Sequence, residues 1–223
     1  MKKYLNVVLV MVLSIFFAAP AKSQFYQIAN QLPGLIGPAL SSSLSYQGSV
    51  DVTYLNGIGS KRANFVGIST SQGFRYRKWF YMGVGLGVDM IMTHTSSTFS
   101  KWNTGWGAPP DTSLKTRGVM VPVFTDFRFN IGNSSSATFF IDARIGASFL
   151  MGNSYMAVDD GYLSSREYFY LKPTAGVQIL LGDSGRKALN VGVAYQLLTS
   201  NYYYFYTNNI ILNSLGASVS FEW

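Results

Sequence analysis

From Leu44 to Trp223 the hydrophobic and polar positions alternate with a period of two. After Trp79, the residues Phe80, Met82, Val84, Leu86, Val88, Met90 and Met92 share one parity, while Tyr81, Gly83, Gly85, Gly87 and Asp89 share the other. A period of two sends successive side chains to opposite faces of a strand. The same split runs through Val119 to Asn130, Phe139 to Phe149, Tyr168 to Leu181, Leu189 to Leu197 and Ser214 to Trp223. It is blurred between Phe65 and Arg77, where Ser69, Thr70, Ser71 and Gln72 interrupt it.

This pattern predicts eight strands, at 44–55, 64–77, 79–94, 117–130, 137–150, 166–182, 187–199 and 209–223. With an even number of antiparallel strands both ends of the sheet lie on one side, and the connectors sort by length. Residues 77–78, 131–136 and 183–186 are short turns on that side; 56–63, 95–116, 151–165 and 200–208 are loops on the other. Short turns opposite longer loops are the habit of transmembrane barrels of the bacterial outer membrane. The fold class expected is all-β, an eight-stranded antiparallel up-and-down transmembrane β-barrel over 44–223.

Alternation by itself does not say which face points outward. A secreted lipocalin-like barrel also has eight strands, with its apolar face inside. Composition bears on the choice. The 223 residues are 48% hydrophobic, 16% aromatic and only 12% charged, whereas a soluble surface carries about 25–35% charged residues. The polar parity is rich in Gly and Ser with a few opposite charges, a set suited to a narrow enclosed interior, so the apolar parity is expected to face lipid. Aromatic residues cluster at both strand ends: Tyr76, Trp79, Phe129, Phe139 and Trp223 at the turns, Phe149, Phe169 and the 202–206 tyrosine-rich run at the loops.

Residues 1–23 read as a secretory signal, with Lys2 and Lys3 before the apolar stretch Tyr4 to Ala19, and with Ala21 and Ser23 placing cleavage before Gln24. Residues 24–43 form a periplasmic lead segment in which Phe25, Ile28, Ala29 and Leu32 recur at helical spacing, either a short amphipathic helix or an unstructured lead. Without Lys2, Lys3 and Lys22 the 17 basic residues fall to 14 against 10 acidic, and the net charge from +7 to +4. That scattered remainder does not form the basic stripe nucleic acid requires, so no nucleic-acid partner is expected. No cysteine is present, which rules out disulfides and a lipoprotein anchor. Beyond the signal no apolar run reaches the ~18–20 residues of a spanning helix.

The signal, the eight alternating segments and the ending Phe221-Glu222-Trp223 together resemble the small eight-stranded outer-membrane proteins of Gram-negative bacteria, the OmpX, OmpA-barrel and OmpW kind. The resemblance implies outer-membrane lipids and lipopolysaccharide as surroundings and recognition of the C-terminal strand by the barrel-assembly machinery. The ending departs from the commoner pattern in carrying Trp in place of Phe. The OmpW likeness also implies a conduit for a small apolar ligand as one alternative role, and the short N-terminal helix is similar to that of the outer-membrane palmitoyltransferases.

Candidate chemistry falls in three places. A symmetric hairpin about Ser135 sets Asp126 opposite Arg144 and Arg128 opposite Asp142, an interior charge network that Asp51, Asp89, Lys172 and Glu222 would extend. A structural role is favoured over a proton or ion path, because an eight-stranded interior is just wide enough for side chains to fill it. The single histidine, His94, begins His94-Thr95-Ser96, which resembles the His-x-Ser element of outer-membrane lipid A 3-O-deacylases. That likeness implies His94 as base and Ser96 as nucleophile of a lipid A-modifying enzyme, but no carboxylate stands at a spacing that would orient the base, since Asp111 lies in a long loop and Glu167 on a distant strand. The bland alternative is a loop histidine among Ser and Thr. The longest loop carries Trp102 and Trp106, a contact surface for a partner, glycan or headgroup, or a lid packed on the barrel mouth. Lys61, Arg62, Lys101, Lys115 and Arg117 would meet either lipopolysaccharide phosphates or, as loop charges usually do, water. No metal-ligand cluster and no phosphate-cradling glycine loop is found, so neither metal nor cofactor is expected, and the leading expectation is a barrel with structural or loop-mediated binding work.

Overall fold

The computed structural model describes residues 44–59, 61–93, 116–132, 136–152, 156–158, 161–163, 166–182, 187–200 and 210–223. The signal and lead segments, 1–23 and 24–43, lie outside them. The strands in chain order are β1 (Leu44–Ile58), β2 (Ala63–Tyr76), β3 (Phe80–Thr93), β4 (Arg117–Ile131), β5 (Ala137–Met151), β6 (Met156–Val158), β7 (Gly161–Leu163), β8 (Glu167–Leu181), β9 (Lys187–Ser200) and β10 (Ile210–Glu222). Eight of them close a single antiparallel barrel in the order β1-β10-β9-β8-β5-β4-β3-β2, while β6 and β7 pair only with each other. The closing seam runs from Ser49 opposite Glu222 to Ile58 opposite Asn213.

The expected strand ends agree with these to within one residue, except that β1 runs on to Ile58, where Asn56, Gly57 and Ile58 pair with Leu215, Ser214 and Asn213. The first loop is therefore only 59–62, shorter than its alternation allowed. The β6–β7 ribbon inside the 151–165 loop was not expected either; its three register pairs, such as Met156 with Leu163, are too few to produce a readable period. Gly132 and Gly182 follow the last residues of β4 and β8 with φ of 123° and 76°. Each starts a turn with a backbone conformation that a side chain would oppose.

The barrel's two faces differ sharply. Val52, Val84, Val123 and Val193 are 50–63% exposed on the outside, whereas Asp51, Asp126, Arg128, Asp142, Arg144, Lys172 and Glu222 are all buried inside. Strands of 15 residues at about 3.3 Å each, tilted by about 40°, rise roughly 38 Å, enough for an apolar band of ~25 Å with room for both rims. At the turn rim Trp79 packs with Tyr76, Phe80 and Phe129 at ring separations of 5.5–6.2 Å, and Phe221 stacks on Trp223 at 6.2 Å. An apolar exterior around a charged interior is the arrangement of a transmembrane barrel and the reverse of a lipocalin-like one.

The blurred segment of β2 is explained on this outer wall. Thr70 and Gln72 point outward, and their polar groups are satisfied locally: the Tyr46 hydroxyl donates to Gln72 Oε1, Gln72 Nε2 donates to Thr70 Oγ1 at 3.1 Å, and Thr70 Oγ1 donates to the Ser49 carbonyl at 2.9 Å. A polar residue facing lipid is expensive when unpaired; this chain of donors lets three of them share one carbonyl.

Candidate functional site: the charged lumen

Inside the barrel the inward parity changes character along the axis. Toward the loops it is apolar: Leu55, Phe65, Ile91, Met120, Leu198 and Leu212 are each at most 2% exposed, and Phe124 stacks on Tyr170 at 5.8 Å. The inward Gly85 of β3 makes room for this layer, since a Cβ there would overlap the Phe124 ring, while Gly83, nearer the turns, leaves space for the Tyr81 hydroxyl. The sequence reading, which took the whole interior as polar, missed this half. Its trace is there in retrospect: where both faces are apolar the alternation is lost, as in Met90-Ile91-Met92 and Ile210-Ile211-Leu212.

Toward the turns the lumen is filled with charge. Asp126 lies opposite Arg144 and Arg128 opposite Asp142 across the β4–β5 ladder. Arg128 Nη2 donates to Asp142 Oδ2 at 3.2 Å, and Arg144 Nε stands 3.5 Å from Asp126 Oδ2 and 3.4 Å from Asp142 Oδ2. The hub of the upper tier is Asp51, whose Oδ1 accepts from Arg144 Nη1 at 3.0 Å, from Lys172 Nζ at 3.0 Å and from Thr53 Oγ1 at 2.7 Å, while the Ser218 hydroxyl donates to its Oδ2. In the lower tier Glu222 pairs with Arg128 and accepts from Gln47, Asn190 and Gln178, the last at 3.0 Å. Asp89 sits over Gly67, in space that a Cβ there would occupy, and forms no ion pair among the described residues.

Strand order gives these contacts their meaning. In the closed ring β5 and β1 are four strands apart, as are β4 and β10, and β2 and β8; four of eight is the far wall. Arg144 on β5 reaches Asp51 on β1, Arg128 on β4 reaches Glu222 on β10, and Arg75 on β2 donates to Gln178 Oε1 on β8 at 3.2 Å. Three arginines thus cross the full width of the lumen at successive heights. Arg128 lies between the rings of Tyr81 and Phe140, 5.7 and 5.5 Å from their centres, and Arg144 lies 5.2 Å from that of Phe124, so the guanidinium planes are held by packing as well as by charge. Sequence reasoning named the adjacent-strand pairs. The struts across the barrel, Arg75 among them, were missed, because register predicts neighbours and not what a long side chain reaches on the opposite wall.

Of the buried ionisable groups here, Asp51, Asp89, Asp126, Asp142 and Glu222 are acidic and Arg75, Arg128, Arg144 and Lys172 basic, five against four. Near-neutrality of this kind holds a wall together; it offers no continuous single-sign path through it. Four further site residues, His94, Ser96, Trp102 and Trp106, lie outside the described residues. No group of three or more metal-ligating side chains occurs among the described residues.

No protein-family model matches the chain, and no curated protein matches it. Among solved structures it is similar to Neisserial surface protein A, at 12% identity and a TM-score of 0.51 over 80% of this chain and 97% of that one. It is also similar to the outer membrane enzyme PagL, at 16% identity and 0.43 over 79% and 97%. The N-terminal β-barrel domain of Pseudomonas aeruginosa OprF gives 13% and 0.37 over 80% and 100%. At this identity the first likeness speaks to fold alone, and it agrees with the closed eight-stranded barrel above; with the apolar exterior of its own wall, the chain folds as a small eight-stranded antiparallel transmembrane barrel.

Proposed function

We propose that the chain is an integral protein of a Gram-negative outer membrane, delivered through its N-terminal signal and assembled from its C-terminal strand, with a closed barrel that serves as an anchor for externally presented loops. The observation that carries this reading is the polarity of the wall: valines and phenylalanines outside, nine ionisable side chains inside. The cross-lumen arginines support an anchor over a porin or a conduit, since a solute or apolar ligand would have to displace packed side chains at three heights and then the apolar layer above them. Contact work then belongs to the loops, with Trp102 and Trp106 as aromatic anchors toward a glycan, protein or headgroup and the loop lysines and arginines toward lipopolysaccharide phosphates.

Fractionation tests this reading. The full chain expressed in a Gram-negative host should sediment with outer membranes, resist alkaline extraction and shift in mobility on a denaturing gel when boiled. Recovery in the soluble periplasmic fraction with unchanged mobility would reject it. In liposome-swelling assays the purified barrel should admit no sugar, and sugar uptake at porin rates would reject the closed-anchor part.

A further inference from the structure

The outward wall changes chemistry around the loop rim. On β3, β4, β5 and β8 its upper positions are apolar, as at Met90, Val121, Phe149 and Phe169, whereas across β9, β10, β1 and β2 they carry Tyr195, Asn213, Tyr54, Asn56 and Asn64. The β1–β2 register runs up to Leu55 opposite Phe65, which sets Asn56 beside Asn64, and Ile58 opposite Asn213 carries the row on to β10. Each amide has its oxygen engaged from within the wall. The Tyr54 hydroxyl donates to Asn56 Oδ1 at 3.2 Å, the Tyr195 hydroxyl to Asn213 Oδ1 at 2.8 Å and Gly57 N to Asn64 Oδ1 at 2.9 Å. Asn56 and Asn213 are left with their Nδ2 donors, which meet no acceptor among the described residues. Beyond Asn56 and Asn64 the 59–62 loop carries Lys61 and Arg62; Arg62 is exposed and continues the outward parity of Asn64, and neither forms an ion pair among the described residues. The outward-facing acid among the described residues, Glu167, stands on β8, four strands from β2.

We propose that this sector of the rim binds one molecule of lipid A, the bisphosphorylated, multiply acylated saccharolipid of the outer leaflet, with Lys61 and Arg62 on a phosphate and the Asn56 and Asn213 amides donating to acyl carbonyls below it. The inference rests on the outer-membrane reading above and deepens it by giving lipopolysaccharide one place on the wall. Height supports the assignment. Asn56 lies five residues beyond Asp51, the middle of β1; at about 3.3 Å each and a tilt of about 40° that is roughly 13 Å, the edge of an apolar band of ~25 Å. Acyl chains join their headgroup at that depth, and an N–H there that found no acceptor would be costly. Charge and hydrogen-bond sense support it as well. Ammonium, guanidinium and amide N–H groups donate, while phosphates and acyl carbonyls accept. A second copy meeting the same face would set donors and cations against donors and cations. From Asn213 on β10 to Arg62 ahead of β2 the donors span two strand spacings, about 10 Å, wider than the paired ester carbonyls of a glycerolipid and suited to acyl linkages spread along a disaccharide.

Native mass spectrometry of the full chain refolded in detergent micelles tests this, with bisphosphorylated lipid A, lipid A stripped of both phosphates, and phosphatidylglycerol as probes. The expected result is one saturable adduct with the bisphosphorylated form, favoured roughly tenfold over each of the others. Lys61→Ala combined with Arg62→Ala should weaken it on the order of tenfold, the loss of two cations at an anionic surface. Asn56→Leu combined with Asn213→Leu should weaken it by about the same factor, the loss of two neutral hydrogen bonds, while making the wall more apolar. Lys78→Ala, which removes a cation from the opposite rim, should leave the adduct unchanged. Equal binding of the three probes, or an adduct undiminished by either double variant, overturns the proposal. A dimer that the asparagine variant dissociates overturns it too, by giving the face to a second copy. The boiling shift, measured on each sample, separates the two failures: its presence without a selective adduct sinks the lipid site alone, and its absence sinks the barrel reading with it.

Discussion

Arg144→Met is expected to cost about 3–5 kcal/mol of folding stability, the range for removing one partner from a buried ion-pair network. Arg144 is 1% exposed and its guanidinium stands between three carboxylates, 3.0 Å from Asp51, 3.5 Å from Asp126 and 3.4 Å from Asp142. Methionine fills much of the volume but none of the charge. Asp51 keeps Lys172 at 3.0 Å and Asp142 keeps Arg128 at 3.2 Å, whereas Asp126, 0% exposed, keeps no ion-pair partner within 4 Å among the described residues. Adding Asp126→Asn to Arg144→Met should therefore recover part of the loss, while Asp126→Asn alone should cost less than Arg144→Met. Urea unfolding of the detergent-folded protein, followed by the fraction of heat-shifted band, measures all three. A loss below about 1 kcal/mol for Arg144→Met would mean that water screens the lumen charges as it does at a surface.

The second large effect is on the opposite face. Val193 lies at the middle of β9, 60% exposed, where the wall meets the centre of the bilayer. Val193→Arg should cost about 2–4 kcal/mol there, and the same change at Ile131, the last residue of β4 at the turn rim and 54% exposed, about 0–1 kcal/mol. In a soluble barrel the two would be equally harmless, since both side chains are on the outside. Unfolding midpoints in lipid vesicles compare them, and equal, small losses would contradict the depth dependence that a bilayer imposes.

What the chain discloses in its own order of residues follows from how local each feature is. Strand ends, register and the pairing of Asp126 with Arg144 are legible because alternation and a hairpin's centre are properties of adjacent segments. The polarity of the two faces is legible from the shortage of charge, since twelve per cent cannot cover a wetted surface of this size. Two features were not legible. Arg75, Arg128 and Arg144 bridge opposite walls only once the sheet has closed. The apolar layer beneath the loops hides where both parities are greasy, as at Tyr54-Leu55 and Phe65-Val66.

The central claim is that the apolar parity meets acyl chains and the polar parity is enclosed. With no cysteine in the chain, single cysteines placed at Met82, Val84, Leu86, Val88 and Met90 on β3 can each carry a nitroxide spin label in lipid vesicles. Collision with oxygen, which concentrates in acyl chains, should exceed collision with a water-soluble nickel chelate at these positions, most strongly at the middle of the strand. Nickel collisions exceeding oxygen collisions at mid-strand would contradict it.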